Sequence, residues 1–456
     1  MKHATTLRRQ RGAATLATVM ILFIIIAMMA AYASRNMVFE QRIASNYYRS
    51  SLANETAESG AEWALAMLNG TTIDGNCQPS AAGVTSFRQR YLSIDGNRNI
   101  SIVPGIAGTT NAIAACAQLA NNSWSCQCPS NAALTRPAVG AVTSAMQPVF
   151  DVVLQAGPKL ATGPTYGPIR AGIVRVLVTS CTGLPATSVW GANSTFSQAC
   201  QTTGLASSNS VAQGDVSVDL ALVSALKMPP ASPLIVKGTV DTGGAALALH
   251  NSDPATGGLL LQAGVGPLIG GELSSSSNSL PGALVSDAQI VGDSTLTSAS
   301  ADRFFAQYFG MPRDNYRSQP AMRSYTAADC DGDCGIFLTQ RIAAGEQLLW
   351  ISGAANFPTN VTLGTAARPV VIVVDGAASF SGPAQINGVL YAHGNVDWVN
   401  GSGQPALVNG ALLTAGNFAA AGKVDLHYDG QIINIVNNQL GSFVRVPGSW
   451  WDRSQK

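Results

Sequence analysis

Charge is what this sequence has least of. Only 11% of its 456 residues are Asp, Glu, Lys or Arg, against about 25% in ordinary soluble domains. The formal charge is +1, and four of the 26 basic residues (Lys2, Arg8, Arg9, Arg11) stand ahead of Gly12; without them 22 basic face 25 acidic side chains. A nucleic-acid binder needs clustered Lys and Arg to neutralise phosphates, so the composition argues against that class. Histidine is scarce too: His3, His250, His393 and His427, none in an H-E-x-x-H arrangement. Their strand-like or isolated settings mark them as structural rather than catalytic. There is no nucleophile elbow and no Cys–His arrangement. "GVGPLIGG" (264–271) has the spacing G-x-G-x-x-x-G with no helix pattern after it, and the Gly-Lys of "AAAGKV" (419–424) lacks the glycine and Ser/Thr of a phosphate loop. An enzyme is not expected.

Proline is missing from the first 78 residues, the first being Pro79. Nothing in that stretch forbids a continuous helix. Three arginines (Arg8, Arg9, Arg11) run into Gly12, and 21 residues then pass without a charge, 13–33. Such a run spans the ~30 Å hydrocarbon core as a helix, and the arginines keep its leading end cytoplasmic. Beyond it, Phe39, Ile43 and Tyr47 recur at i, i+4, and Ala57, Ala61, Ala64, Leu65 and Leu68 continue the stripe to a stop at Asn69-Gly70. Glu55, Glu58 and Glu62 occupy another face. The spacing predicts one helix over 13–68, about 85 Å long.

These residues resemble a known family. A short basic leader ending in Gly12, the apolar run and the continuing amphipathic helix are similar to type IV prepilins, and "ANETAESGAEWAL" (53–65) stands where PilX-type minor pilins close the helix with an A-x-x-A-E-x-A-like stretch. The resemblance covers 8–68, about an eighth of the chain. It implies cleavage after Gly12 by prepilin peptidase, methylation of Ala13, and a structural, non-catalytic subunit that initiates or caps a type IV pilus near its tip. Its partners would be other minor and major pilins and a pilus-tip adhesin, with a role in surface or cell contact. It places the chain in the bacterial inner membrane, N-terminus cytoplasmic, before assembly, and then on the pilus, in the periplasm or at the cell surface. One departure is Ala17, at the position where most pilins carry a Glu that meets a neighbour's N-terminus. A pseudopilin of type II secretion has the same stem. An exported adhesin-like β-protein is a further reading, because Ala31-Tyr32-Ala33 fits signal cleavage before Ser34. An uncleaved anchor on an unrelated exported protein is another.

Eight cysteines (Cys77, Cys116, Cys126, Cys128, Cys181, Cys200, Cys330, Cys334) behind an export-type N-terminus read as disulfides. No paired C-x-x-C units support a metal site. Eight cysteines allow 105 connectivities; proximity alone favours Cys181 with Cys200 and Cys330 with Cys334. Asp329, Asp331 and Asp333 alternate like the opening of a calcium loop, but Cys334 and Gln340 stand where an EF-hand needs Gly and Glu. A solvated acidic turn pinned by a disulfide is the competing reading, and Ca²⁺ the only cofactor in view.

Segments 170–181 and 215–226 alternate as strands do. After Pro229 short apolar runs are punctuated by Gly, Asn and Asp. "INGVLYAHGNV" (386–396) and "VNGALLTAGNF" (408–418) repeat at an offset of 22 residues. That period suits β-solenoid coils with left-handed corners at Gly and Asn; a stack of β-hairpins is the alternative. The expected fold is α+β. It comprises a leader (1–12), a transmembrane and stem helix (13–69) and a disulfide-containing α+β region (70–230). A β-rich region with the Asp/Cys loop (231–350) and a solenoid-like repeat region (351–456) follow.

Overall fold

The computed structural model describes residues 11–80, 83, 85–103, 112–118, 122–128, 148–156, 159–162, 165–169, 171–182, 212–244, 247–271, 273, 275–278 and 288–452. Helix α1 runs unbroken over Arg11–Leu68, 58 residues, or about 87 Å. Its two halves differ in burial. Residues 15–48 are almost entirely exposed, whereas Ala53, Ala57, Ala61 and Ala64 are at most 1% exposed.

What covers those alanines is an antiparallel sheet built from β1 (Ala112–Gln118), β2 (Trp124–Gln127), β3 (Pro148–Ala156), β4 (Ile173–Thr182) and β5 (Gln213–Ser224). The order is β5-β4-β3-β1-β2, with the late strand Gly441–Arg445 added outside β5. Alternation aims Phe150, Val152, Val174, Val176, Val178, Val218 and Leu220 at α1. On the opposite face Arg175 and Asp219, cross-strand neighbours, form a 2.7 Å ion pair. Small residues let helix and sheet approach closely. A Cβ on Gly60 would lie 2.5 Å from Val178 Cγ1, and one on Gly214 2.7 Å from the Ala53 carbonyl oxygen. Ser180 Oγ donates to that same carbonyl at 2.5 Å.

Two disulfides brace this unit. Cys116–Cys126 joins residues directly opposite on β1 and β2. Cys77–Cys128 links the loop after α1 to the end of β2 across 51 residues, and closing a loop of that length removes about 4 kcal/mol of unfolded-chain entropy in the simple model. Cys181 is also disulfide-bonded, and Cys200 lies outside the described residues.

The chain leaves this sheet at Ser224 and returns at Gly441, which are register partners. Residues 225–440 therefore form a unit inserted between two adjacent antiparallel strands. The units proposed from sequence met at 350 and ran to 456. The sheets divide the chain differently, because Arg323–Thr326 and Leu348–Ser352 pair in parallel with each other and then with Val370–Asp375, while 441–452 belongs to the first sheet.

The inserted unit is parallel throughout its described pairings. Its twelve-stranded sheet includes Val370–Asp375, Gln385–Ala392, Ala406–Thr414 and Val424–Tyr428, and a five-stranded sheet stacks Ala355–Phe357, Ala378–Ser381, Val396–Asn400, Phe418–Gly422 and Val240–Asp241. The 22-residue repeat appears as register: Asn387 faces Asn409, Gly388 faces Gly410 and Leu390 faces Leu412. Phe357, Phe380 and Trp398 stack between the sheets with ring centroids 4.3 Å apart at each step. The other face of the large sheet lies under α2 (Ala301–Phe309), α3 (Arg313–Arg317) and α4 (Gly430–Asn434), where Phe304, Phe305, Phe309 and Tyr316 cover Trp350 and Tyr391. Burial on both faces explains the continuous apolar run "VVIVV" at 370–374.

The expected left-handed corners fall elsewhere. Gly394, Asn395, Gly416 and Asn417 are not in the left-handed region, whereas Gly388 (φ 141°) and Gly410 (φ 133°) are, inside their strands. A Cβ on Gly410 would lie 2.0 Å from the Gly388 carbonyl oxygen, so the repeated glycine serves close approach of adjacent parallel strands. Asn395 and Asn417 instead stack: the Asn417 amide donates to Asn395 Oδ1 at 3.0 Å.

Replacing Gly60 by Leu drives a side chain into Val178 and Phe150 and is expected to cost about 1–3 kcal/mol by overpacking. Gly75→Ala, in open space, should stay within about 0.5 kcal/mol of wild type. Urea unfolding of the detergent-solubilised chain compares the two.

Candidate functional site: an exposed apolar stem and an Asp/Cys loop

Gly12 and Ala13 belong to the first turn of α1, and the leader residues 1–10 lie outside the described residues. From Thr15 onward α1 is long and apolar enough to cross a membrane, with none of its most apolar window buried in the protein. Leu16, Phe23 and Tyr47 are 66%, 72% and 77% exposed. Ala17 is exposed among them and places no ionisable group in the run. Water is a poor surrounding for such a surface, since each Å² of apolar area in contact with it costs about 25 cal/mol relative to burial. The helix continues without a break through Ala33 and Ser34.

The far end of α1 is tied to both units by one residue. Asn69, 6% exposed, donates through Nδ2 to the carbonyls of Leu65 and Phe443, each at 2.9 Å, and accepts the Phe443 amide on Oδ1 at 2.8 Å. Its own carbonyl accepts from Arg323 Nη2 at 2.8 Å. The residue read from sequence as a helix stop is thus also the clasp for the returning strand.

The Asp/Cys loop is held by backbone chemistry. Asp329 closes a capping box with Thr326, accepting its amide at 2.7 Å and its hydroxyl at 2.8 Å; the Thr326 amide bond is the main cause of its lowered carboxyl pKa. Asp333 caps α5 (Cys334–Ala343), accepting the amides of Gly335 at 2.8 Å and Ile336 at 3.2 Å. Its other oxygen takes the Thr359 hydroxyl. Asp331 sits between them with φ 47° in the left-handed region. Cys330 and Cys334 are bridged. Among the described residues no three His, Cys, Asp or Glu side chains are grouped to hold a metal ion. Two of the three alternate aspartates, Asp329 and Asp333, thus hold backbone amides at a turn and a helix cap.

The histidines stand in the parallel ladder. His250 and His427 are register partners and stack at 4.2 Å between centroids. They extend a polar column in which Asn409 Nδ2 donates to Asn387 Oδ1 at 3.0 Å. Burial, then the neighbouring His250, lowers the His427 pKa, with Asp425 opposing. His393 lies 3.1 Å from the Tyr391 hydroxyl through Nδ1, and burial followed by Arg313 lowers its pKa. His3 is outside the described residues. The glycines of 264–271 lie in an irregular stretch pinned by the Thr242 amide, which donates to Ile269 O at 2.9 Å, and Gly422-Lys423 join strand Phe418–Gly422 to Val424–Tyr428, with Lys423 O accepting from Asn400 Nδ2 at 2.6 Å.

Sequence reasoning missed α2 and α3. The signal was present: Ser300 caps α2 by accepting the Arg303 amide, and Phe304, Phe305, Tyr308 and Phe309 fall on one side.

Asp333→Ala removes the cap and is expected to cost about 1 kcal/mol, within a 0.5–2 kcal/mol range. Measured by thermal unfolding with EDTA and with millimolar Ca²⁺, the same loss in both identifies capping, and a loss confined to Ca²⁺ identifies ligation. A second expectation concerns acid. A histidine with a lowered folded pKa contributes stability that is complete above its unfolded value near 6.5 and is lost as pH falls through the folded value. His427→Asn, which continues the asparagine column, should therefore lose less stability than wild type between pH 7 and pH 5, read from urea midpoints at the two pH values.

No family model matches the chain, and no curated protein or solved structure does either.

Proposed function

We infer that this chain is a minor pilin of the PilX type, a structural subunit that initiates or caps a type IV pilus. The observation that carries this reading is the division of α1. One unbroken helix exposes an apolar stretch long enough to cross a membrane and buries one face of its last third, through Ala53, Ala57, Ala61 and Ala64, against an antiparallel sheet. A subunit that waits in the inner membrane and later packs its stem among other stems needs that division. In the membrane the exposed half is covered by lipid; in a fibre it is covered by neighbouring pilin helices. Ala17 adds no buried charge needing a partner, which fits a subunit at the end of a fibre.

The inserted unit 225–440 is then a short β-solenoid carried outward by the pilin-like unit. Its ladders place small polar residues such as Ser379, Ser381 and Asp397 on the outer face of the five-stranded sheet, a surface suited to contact with other subunits or a cell surface rather than to turnover. Prepilin peptidase would act between Gly12 and Ala13.

Mass spectrometry of the N-terminal peptide of the mature protein tests the reading. The expected peptide begins at N-methylated Ala13. One beginning at Ser34 would overturn the assignment in favour of an ordinary secreted β-protein, and an intact Met1 would make the chain a simple membrane-anchored protein.

A further inference from the structure

The polar column on the large sheet changes character along its length. Asn387, Asn409, His427 and His250 are successive register partners on four adjacent parallel strands. The first two are bonded amide to amide, Asn409 Nδ2 to Asn387 Oδ1 at 3.0 Å. The last two are half-buried imidazoles, stacked with centroids 4.2 Å apart and planes 29° apart. In-register pairing fixes this contact, because like positions on neighbouring strands lie about 4.8 Å apart. An amide ladder is neutral at every pH. An imidazole pair is neutral only while each ring keeps a single N–H.

Charge at this pair has few groups to meet. On its own strand His427 has Asp425 two residues away on the same face, and this carboxylate favours the charged ring. The neighbouring strands Ala406–Thr414 and Gln385–Ala392 bring only Asn409 and Asn387 into the column, neither of which titrates. Ser275–Asn278 and the helix Gly430–Asn434 contain no ionisable residue. Asp253 and Asp429 stand just past the two histidine strands, and both are engaged as caps. Asp253 accepts the Ala255 amide at 2.9 Å, and Asp429 accepts those of Gln431 at 2.9 Å and Ile432 at 3.1 Å. One carboxylate therefore serves two imidazoles. Burial, then His250, outweighs it and holds the His427 pKa below its ordinary value.

The strands that carry the pair are also placed to move. Among the described pairings Leu247–Asn251 is bonded on one side to Val424–Tyr428 and on the other to Ser275–Asn278, which ends that path of the sheet. These two strands can part from the sheet without breaking any other described ladder. Leu247 and Leu249, 0% exposed in the core, hold them in place. We propose that the stacked imidazoles of His250 and His427 form an acid-sensitive latch: protonation of both separates Leu247–Asn251 and Ser275–Asn278 from Val424–Tyr428, while the rest of the inserted unit stays folded. Like charges directly opposite on paired strands are destabilising, and a half-buried setting screens them poorly. A ring whose folded pKa lies below the unfolded value near 6.5 contributes stability that is complete above that value and is lost as pH falls through the folded one. The latch is closed at pH 7 and opens in acid. Opening bares Leu247, Leu249 and the backbone edge of Val424–Tyr428, and such an edge is a template for an added strand. The inference uses the inserted unit alone and does not rest on the pilin reading.

Hydrogen exchange of the full detergent-solubilised chain at pH 7 and pH 5, resolved by mass spectrometry and corrected for the intrinsic pH dependence of amide exchange, tests it. Peptides covering 247–251 are expected to lose about tenfold or more in protection at pH 5, whereas those covering 370–375 and 408–414 keep theirs within about twofold. Return to pH 7 restores the protection. His250→Asn and His427→Asn each continue the asparagine column without a titrating ring, and each should hold its pH 7 protection at pH 5. Protection at pH 7 shows that a variant has folded, and His250→Gln or His427→Gln replaces one that has not. Unchanged protection of 247–251 in wild type, an equal loss across 370–375 and 408–414, or the full loss persisting in both folded variants would each overturn the proposal.

Discussion

The close approach of α1 to its sheet is the constraint on which the remaining structure depends. A helix some 87 Å long has only its last third against protein, and that third must hold it. Alanines every three or four residues, with Gly60 against Val178 and Gly214 against the Ala53 carbonyl, bring backbone toward backbone. The contact then includes a hydrogen bond from Ser180 to a helix carbonyl. Larger side chains would add apolar area but lift the helix away. The sheet supplies the bulk instead, through Phe150 and the valines of β4 and β5. Small-on-helix and large-on-sheet is a division of volume that reaches interior packing density without straining either element.

From that contact follows the path of the chain. The sheet under α1 is completed on one edge by Gly441–Arg445, which arrives only after residues 225–440 have been folded away. Ser224 and Gly441 are register partners, so the inserted unit begins and ends at one point and can be large without disturbing the sheet. Asn69 fixes that point from the helix side, since its amide satisfies both backbone groups of Phe443. Buried backbone groups left unpaired cost about 1–3 kcal/mol each. One asparagine thus joins the stem, the returning strand and, through Arg323, the inserted unit.

Sequence showed some of this and hid the rest, for physical reasons. The helix over 13–68 was legible because its signals are local: no proline, an uncharged run, then a 3–4 spacing. The 22-residue repeat was legible because parallel strands place like on like, and Asn387 on Asn409 is the same fact as the repeat itself. The insertion was not legible, since nothing at Ser224 or Gly441 announces that they pair. Nor could the role of the repeated glycines be read: a strand interior with φ near 140° and a corner both call for glycine, and only the neighbouring strand distinguishes them. The alternate aspartates of 329–333 fit both an ion and a pair of caps, and only the fold shows that Thr326, Thr359 and the first amides of α5 lie within their reach.

Low charge gives the few ionic groups positional meaning. In a chain with 25 acidic and 26 basic residues, several of the charged groups that are not solvated lie where elements meet. Arg313 joins α2, through Asp302, to the large sheet, through Asp375. Arg445 on the returning strand meets Glu62 of α1. Exposed pairs of this kind contribute little to stability individually, yet they select one docking geometry, because a misplaced charge in such apolar surroundings has nothing to meet.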